Sequence, residues 1–585
     1  MPHPLSRQSC KGLLTLLAFT CSYFLSLAPA KAQQGITTVF YILLENRCFS
    51  SGTDKSYTNV IYGNSAAPYL NKLCTPGDPN AVDTSYCSAY HHVNSKTTGD
   101  NIAQTGSTTN GSGAGGSVHP SEPNYVWMEA GSNLSKYDDN EPYGTGNSVA
   151  QIATFLSQNP SYTGENLTGL LQNAGITWTC YVEGTCLLNS AGQDFNANTT
   201  AGGATLTNNI SPIGKRTVPL ASFSGTSSTY TNAYNGSHQY NFATKHTGAL
   251  FFPATNGSTV TTANQTTSNV AIYHYAPLEQ LTADLANTAS SAYPSNYGVA
   301  QYNVITPDQY NDGHTALTGN FVYNGTTYTG GSDLARIAQM DNFCAIIVPQ
   351  IKASPVYQAG HTAIVIWTDE TEGSSLDDYY HTLLEIVISP QAKGNAYNST
   401  LNFTHSSDVA TMQKVFGVVA NTPSGYLNDA VNASQPTVGT ATTNSGQGLV
   451  PATGQPFMGF GTGTALDLSD MFKAGVIPSG IPAFNYMAGG YAFNRRTNTY
   501  SQTVTVTNVL SVPVTTPVYL VVSSLANGTL ANGAGTTTNN YAGSPYVLVS
   551  PTGLAAGASA TVTLQFNSTG GITEALQVVS TSGAP

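Results

Sequence analysis

Three short runs of consecutive apolar, β-branched and aromatic residues constrain the fold of this 585-residue chain more than any other feature. They are Thr37–Leu44, Thr362–Thr368 and His381–Ser389. Runs without polar alternation are typical of strands that are buried on both faces of a largely parallel sheet. Asp333–Ile351 precedes the second run and has apolar residues at helical spacing, which predicts an amphipathic helix. The order strand, helix, strand favours an α/β fold.

The composition changes toward the C-terminus. Pro436–Pro456 is rich in Thr, Gly, Ser and Pro, which predicts a linker. Beyond about Asn494, short segments with alternating apolar residues are separated by turn signals such as Asn527-Gly528. This pattern predicts an immunoglobulin-like β-sandwich. We therefore expect a signal peptide at 1–32, an α/β domain at 33–425, an extension and linker at 426–490, and a β-sandwich module at 491–585.

The N-terminus predicts export. Arg7 and Lys11 precede the apolar run Gly12–Leu27, and the small residues of Ala28–Ala32 follow it. This order is typical of a secretory signal that is cleaved after Ala32. The apolar run is too short for a membrane anchor, and no later segment is long enough to span a bilayer. We expect a secreted or periplasmic protein.

The charge content excludes some partners. Charged residues make up 8% of the chain, and 18 Lys and Arg against 30 Asp and Glu give a formal charge of −12. Nucleic-acid binding needs grouped basic residues, and so does adhesion to anionic membranes. We therefore expect no nucleic-acid partner. The β-sandwich module is interpreted as a spacer, or as a module that binds a surface or glycan.

The cysteine content suggests disulfides. The sequence has 8 Cys, of which Cys10 and Cys21 belong to the predicted signal peptide. An even number in an oxidising compartment favours disulfides over zinc ligation. Cys180 and Cys186 are the expected pair because a short loop joins them.

Acidic residues follow two of the predicted buried strands. Glu45-Asn46 comes directly after the first run, and Asp369-Glu370 comes after the second. Ligands of open α/β sheets collect at the carboxyl ends of strands, and carboxylate and amide oxygens bind hard metal ions. The alternatives are a helix N-cap or turn at Asn46 and a solvated strand end at Asp369. The presence of two such strand ends favours a metal site.

The most informative string is His119-Pro-Ser-Glu-Pro-Asn-Tyr125. Proline on both sides of Ser121 restricts the backbone, and a nucleophilic serine benefits from such rigidity. The alternative is an ordinary Pro-rich loop.

Several short motifs, in this order, resemble the phosphoesterase family of bacterial phospholipases C and acid phosphatases. They are ILLEN at Ile42, APYLN at Ala67, HPSEPNY at His119, GITWTCYVEG at Gly175, Lys245-His246, VITPDQYNDGH at Val304, WTDE at Trp367, ISPQAKG at Ile388 and His405-Ser406. The resemblance spans roughly Ile36 to Gly417, and HPSEPNY is closer to the acid-phosphatase branch. It implies an alkaline-phosphatase-like layered sheet with helices on both faces, and a divalent metal ion as cofactor.

The resemblance also implies roles for individual residues. Ser121 would be a metal-bound nucleophile, and further residues would hold the metal or assist catalysis. The implied metal ligands are Glu45, Asn46, Ser121, Asp369 and Glu370, with Asp308 as a further candidate. The implied catalytic residues besides Ser121 are Asp312, His314, Lys245, His246 and His405, which would contact phosphate oxygens or move protons. Cys48 stands where the family usually has Ser or His.

These features leave three hypotheses. The first is a secreted acid phosphatase that hydrolyses phosphate monoesters through Ser121. The second is a phospholipase C-type phosphodiesterase on the same scaffold, with a phospholipid as substrate. The third is a non-catalytic surface protein, which the presence of Glu45, Ser121 and Asp369 disfavours.

Overall fold

The computed structural model describes most of the predicted α/β domain and C-terminal module. The described residues are 35–50, 59–92, 118–134, 136, 138–140, 157–184, 222–228, 230–255, 274–286, 298–372, 381–401, 403–422, 425–427, 467–481, 483–510, 513–538, 543–581 and 585. The predicted signal peptide and the linker Pro436–Pro456 lie outside them.

Fourteen strands precede residue 400 in the described part of the chain. They are β1 Thr38–Leu44, β2 Cys48–Ser50, β3 Thr84–Cys87, β4 Trp178–Val182, β5 Phe223–Thr226, β6 Gln239–Phe242, β7 Tyr275–Pro277, β8 Tyr302–Thr306, β9 Phe321–Tyr323, β10 Thr326–Tyr328, β11 Thr362–Thr368, β12 Thr382–Leu383, β13 Glu385–Ile388 and β14 Tyr397–Ser399. The α-helices are α1 Pro68–Leu73, α2 Ser121–Ala130, α3 Leu167–Asn173, α4 Gln280–Ala286, α5 Asp333–Ala353, α6 Pro355–Gln358 and α7 His405–Phe416.

The central sheet has eight strands in the order β14-β3-β13-β11-β1-β8-β4-β7. β1 lies between β11 and β8, and both pairings are parallel. Only β13 runs against the others, since β3 and β14 again point the same way as β1. All seven residues of β1 and all seven of β11 are buried, as the unbroken apolar runs predict. The predicted α/β fold is confirmed as a large mixed sheet.

Alternate residues of β1 enter two separate apolar cores. Val39, Tyr41 and Leu43 belong to a core that includes residues of α2, α3 and α7. Phe40 and Ile42 belong to the other, which includes residues of α1, α4 and α5. Because successive side chains of a strand point to opposite faces, the helices cover both faces of the sheet.

A segment after the predicted linker packs against the α/β core. Leu468 and Met471 are fully buried there, and Ala392 forms a β-bridge with Phe472. The buried Lys414 ammonium of α7 forms an ion pair with the Asp467 carboxylate. This part of the predicted extension therefore contributes to the α/β core.

The C-terminal part forms two antiparallel sheets around a separate apolar core. Its strands are β15 Phe484–Asn494, β16 Thr499–Asn508, β17 Val518–Ala526, β18 Thr529–Leu530, β19 Gly535–Thr536, β20 Pro545–Ser550, β21 Ser559–Asn567 and β22 Thr573–Ser580. The sheets have the orders β15-β16-β21-β18 and β19-β20-β17-β22. This arrangement agrees with a β-sandwich, while the immunoglobulin-like assignment stays a prediction.

The cysteines correct one prediction. Cys180 is a buried free thiol on β4, so the expected Cys180–Cys186 disulfide is wrong as far as Cys180 is concerned; Cys186 lies outside the described residues. No disulfide joins any of the described cysteines, Cys48, Cys74, Cys87, Cys180 and Cys344. Burial raises the pKa of the Cys180 thiol well above its usual value, which makes the group unreactive.

Among the described residues, no helix combines the length and the apolar character that a membrane crossing requires.

Two truncations test the role of the segment that follows the linker. A chain ending at Ile481 should unfold cooperatively with the thermal midpoint of the α/β part of the full chain. A chain ending at Thr453 should be much less stable, because loss of Asp467 leaves the Lys414 charge buried and unpaired, at a cost of about 3–5 kcal/mol. Differential scanning calorimetry of the three proteins measures this. Equal thermal midpoints for the two truncated chains would contradict our assignment of the segment after the linker to the α/β core.

Candidate functional site

The carboxyl ends of β1 and β11 place two acidic segments side by side. Leu44 pairs with Thr368 at the ends of these parallel strands, so Glu45-Asn46 and Asp369-Glu370 leave the sheet at the same level. The Asn46 backbone N–H donates to Asp369 Oδ1 at 2.9 Å. Asn46 has φ of 43°, a left-handed conformation that asparagine tolerates well. The structure therefore brings the two predicted strand ends together.

The loop after β8 adds a third acidic residue. The backbone N–H of Glu45 donates to the Asp312 carbonyl at 2.8 Å, which fixes this loop against the end of β1. Gly313 has φ of +105°, and a Cβ there would lie 3.1 Å from the Glu45 carbonyl oxygen. Glycine is needed at this position because both the conformation and the close approach disfavour a side chain. The loop thereby sets the Asp312 carboxylate near Glu45.

Ser121 is the first residue of α2, and it is 3% exposed. Its hydroxyl donates to Glu370 Oε1 at 3.1 Å, and it lies 3.3 Å from Asn46 Oδ1. The predicted nucleophile therefore meets residues from both strand ends. Its position at the N-terminus of a ten-residue helix places it at the positive end of the helix dipole.

His246 lies between two of the carboxylates. Its Nε2 is 2.6 Å from Glu45 Oε1, and its Nδ1 is 3.5 Å from Asp312 Oδ2. The Tyr125 ring stacks on the imidazole with a centroid distance of 4.8 Å. Burial alone lowers the pKa of His246, but the Glu45 charge and the close contacts with Asp312 and Glu45 outweigh burial and raise it to about 10. His246 is therefore a buried cation at neutral pH.

Some acidic oxygens of the site lack a hydrogen-bond donor. Glu45 Oε2, Asp312 Oδ2 and Asp369 Oδ2 are buried and have no hydrogen-bond partner. Burial, and then the neighbouring Glu45 and Glu370 charges, raise the pKa of Asp369 well above its usual value. Buried carboxylates without donors are stabilised by a cation. The oxygen-rich set around Glu45 and Asp369 therefore fits a hard divalent ion. The atoms of Glu45, His246 and Asp312 are also close enough to share an ion, which would have to replace the His246 proton.

Sequence reasoning missed two histidines of the site. His119 Nδ1 lies 2.5 Å from Glu370 Oε2, and the His92 ring contacts the His119 ring edge-on at 4.8 Å. With Glu370 they form a second buried group whose atoms are close enough to bind a metal. The signal for His119 was present, because it begins the string that contains Ser121. His92 has no local signal, since only the tertiary structure brings it there.

Asp308 does not join the carboxylate cluster. Its Oδ1 accepts from the backbone N–H groups of Tyr310 and Asn311 at 3.0 and 3.2 Å, and its Oδ2 accepts from the Asn241 N–H at 3.4 Å. Both oxygens therefore stabilise the turn that carries Asp312, and the predicted role as a metal ligand receives no support from its position.

Lys245, His314 and His405 contact different parts of the candidate site. Lys245 Nζ forms a 2.6 Å ion pair with Asp139 Oδ2, and Asp139 Oδ1 accepts from the Glu122 N–H at 3.1 Å, at the N-terminal end of α2. His314 is partly exposed, with Nε2 3.9 Å from Glu45 Oε2. His405 is fully buried beneath the site, where its Nε2 contacts backbone and amide oxygens rather than open space.

Comparison with known proteins gives no relative by sequence. No family model matches the chain, and no curated protein does. Membership of the phosphoesterase family therefore stays a prediction.

The chain is weakly similar to several solved structures. An alkaline phosphatase superfamily protein from Vibrio parahaemolyticus has a TM-score of 0.30 and 9% identity over 81% of this chain and 78% of its own. PsFucS1 sulfatase from Pseudoalteromonas has a TM-score of 0.33 and 10% identity, and the match covers 88% of this chain and 82% of the sulfatase. The phosphonate monoester hydrolase of Silicibacter pomeroyi has a TM-score of 0.30 and 12% identity, and the match covers 77% of this chain and 79% of the hydrolase. TM-scores this low do not establish a shared fold.

Metal content should separate the clustered carboxylates from Asp308. Glu45→Gln and Asp369→Asn should each lower bound divalent metal well below the wild-type amount, because each removes a charged oxygen from the cluster. Asp308→Asn should keep the wild-type stoichiometry. Inductively coupled plasma mass spectrometry of the purified folded variants measures this. If only Asp308→Asn lost metal, then Asp308 would be the ligand, and Glu45 and Asp369 would not be.

Proposed function

We propose that this chain is a metal-dependent hydrolase of phosphate monoesters that uses Ser121 as its nucleophile. The observation that carries the proposal is the position of the Ser121 hydroxyl. It lies at the N-terminus of α2, in contact with Glu370 and Asn46, beside buried carboxylate oxygens that lack hydrogen-bond donors. A nucleophile, a proton acceptor and the ligands of a cation are the groups that transfer of a phosphoryl group to a serine requires.

Glu370 is the proton acceptor in this proposal. Its Oε1 accepts the Ser121 hydroxyl, and its Oε2 contacts His119 and, at 3.4 Å, the Asn124 amide. These contacts hold the carboxylate in one orientation. In the first step the Ser121 Oγ–P bond forms, the bond from phosphorus to the leaving oxygen breaks, and the hydroxyl proton passes to Glu370. Water then attacks phosphorus, phosphate leaves, and Ser121 regains a proton.

The charge that develops on phosphorus needs positive groups nearby. A divalent ion held by Glu45, Asn46 and Asp369, next to Ser121 and Glu370, would supply Lewis-acid stabilisation of the nucleophile and of the phosphoryl oxygens. The chain itself contributes the positive end of the α2 dipole and the protonated His246. Lys245 lies at the same end of α2 through its ion pair with Asp139, and a bound phosphate would compete with Asp139 for the ammonium group.

His314 suits the role of proton donor to the leaving group. Its side chain is 40% exposed and extends beyond the buried Glu45 carboxylate. An imidazole on the open side of the site can protonate an alcohol that leaves toward solvent.

The burial of Ser121 supports a monoester over a diester. With 3% of its surface exposed, the serine is almost completely buried. A terminal phosphate group can reach a recessed hydroxyl with one substituent pointing out, whereas a diester must place substituents on two sides. An acid phosphatase is therefore our first candidate. The alternatives are a phospholipase C-type diesterase and a sulfate esterase, and the substrate comparison below distinguishes them.

Ser121→Ala should lower kcat on p-nitrophenyl phosphate by at least about 10³-fold, because it removes the atom that attacks phosphorus. Its metal content should stay close to wild type. Ser161→Ala, at an exposed position in a short 3₁₀ helix, is the matched control and should keep full activity.

The same assay decides the substrate class. Rates on p-nitrophenyl phosphate, bis-p-nitrophenyl phosphate, phosphatidylcholine and p-nitrophenyl sulfate should be highest for the monoester. Preference for either diester would assign the diesterase, and preference for the sulfate would assign a sulfatase. A fully active Ser121→Ala variant would refute the nucleophile.

A further inference from the structure

Two carboxyl groups are buried near one another beneath the site. Glu385 begins β13 and Asp408 lies in the first turn of α7, and both are fully buried. Burial, and then the charge of Asp408, raise the pKa of Glu385 well above its usual value. The pKa of Asp408 is raised by burial to about 7 although several hydrogen bonds lower it.

Two buried tyrosines donate to Asp408 from opposite sides. The Tyr41 hydroxyl donates to Oδ1 at 2.9 Å, and the Tyr90 hydroxyl donates to Oδ2 at 2.5 Å. Only Tyr90 has a further contact toward the nucleophile, because its hydroxyl lies 2.9 Å from His405 Nδ1. The Trp367 Nε1–H points at the Tyr90 hydroxyl oxygen, at 3.0 Å, and at His405 Nδ1, at 3.1 Å.

The opposite edge of His405 faces two residues of the site. His405 Nε2 lies 2.9 Å from the Asp369 carbonyl oxygen and 3.1 Å from Asn124 Oδ1. The Asn124 amide nitrogen in turn donates to the Val118 and Pro120 carbonyls and to Glu370. These donations identify the atom that faces His405 as the amide oxygen.

The partners determine the protonation of His405. Both atoms near Nε2 are acceptors, so Nε2 carries a proton. The Trp367 indole N–H donates to Nδ1, which in the neutral ring is an acceptor, while the single proton of the Tyr90 hydroxyl goes to Asp408. Burial and the nearby His92 lower the pKa of His405 well below its usual value, in agreement with a neutral ring. His405 is then a fixed donor toward the site and a fixed acceptor toward the core.

We propose that Tyr90, held by Asp408, is a positioning residue whose hydroxyl fixes the orientation of the His405 ring, so that His405 fixes Asn124 and the Asp369 backbone next to Ser121 and Glu370. The proposal rests on the proposed function, since Asn124 and Asp369 position Glu370 and the metal ligands for the reaction of Ser121. It assigns His405 a role in orientation, instead of the proton transfer that the family resemblance implies. Hydrogen-bond partners behind a site typically affect activity in this indirect way.

Tyr90→Phe and Tyr41→Phe form a matched pair for the test. Each removes one buried hydroxyl from the same Asp408 carboxyl, so their costs in stability should be similar. Only Tyr90→Phe removes the contact with His405, and it should lower kcat on p-nitrophenyl phosphate about tenfold with KM changed less than twofold. Tyr41→Phe should stay within twofold of wild type in both constants. Equal kcat values for the two variants, with both folded by circular dichroism, would overturn the proposal.

Substitutions of His405 separate positioning from proton transfer and serve if Tyr90→Phe does not fold. A glutamine amide offers one donor and one acceptor but does not titrate, so His405→Gln should keep activity at least about tenfold above His405→Leu. If both variants lose activity equally while both keep the wild-type circular dichroism spectrum, a protonatable imidazole is required and the proposal fails. Failure here leaves the proposed function intact, since that depends on Ser121→Ala.

Discussion

β1 and β11 pair in parallel over seven residues, from Thr38 with Thr362 to Leu44 with Thr368, at the centre of the eight-stranded sheet. Because the strands are in register and point the same way, the residues that follow them are forced together where the backbone leaves the sheet. The apolar runs place this pair in the interior, with helices over both faces. The functional site depends on this pairing, since a shift of one residue would separate the acidic segments.

The pairing creates an electrostatic cost that the surrounding structure offsets in several ways. Glu45, Asp312 and Asp369 are almost completely buried, where ionised carboxylates are unfavourable without partners. The protonated His246 offsets part of this charge, and the Asn46 backbone N–H offsets another part at Asp369. The remaining oxygens without donors explain why a divalent cation fits here. In the proposed function the same groups would bind the cation and act on a phosphate ester, so stability and chemistry would involve the same charges.

A second polar layer lies between the site and the apolar core. It extends from the Glu385–Asp408 pair through Tyr90 and His405 to Asn124. Buried polar networks of this kind have few alternative arrangements when every donor meets an acceptor. The layer therefore restricts the orientation of the residues that contact Ser121, although none of its deeper members reaches the open side of the site.

The sequence by itself determined the α/β sheet, the position of Glu45 and Asp369 at strand ends, and Ser121 in a proline-restricted string, because each of these follows from a local pattern. Only the tertiary structure decided which of the remaining polar residues reach the site. It placed His119 next to Glu370 and bonded the Asp308 carboxylate to backbone N–H groups of its own loop. It also buried His405 behind the Asp369 backbone. The physical reason is that such contacts depend on strand order and on the docking of loops that are distant in sequence, and neither periodicity nor spacing records them.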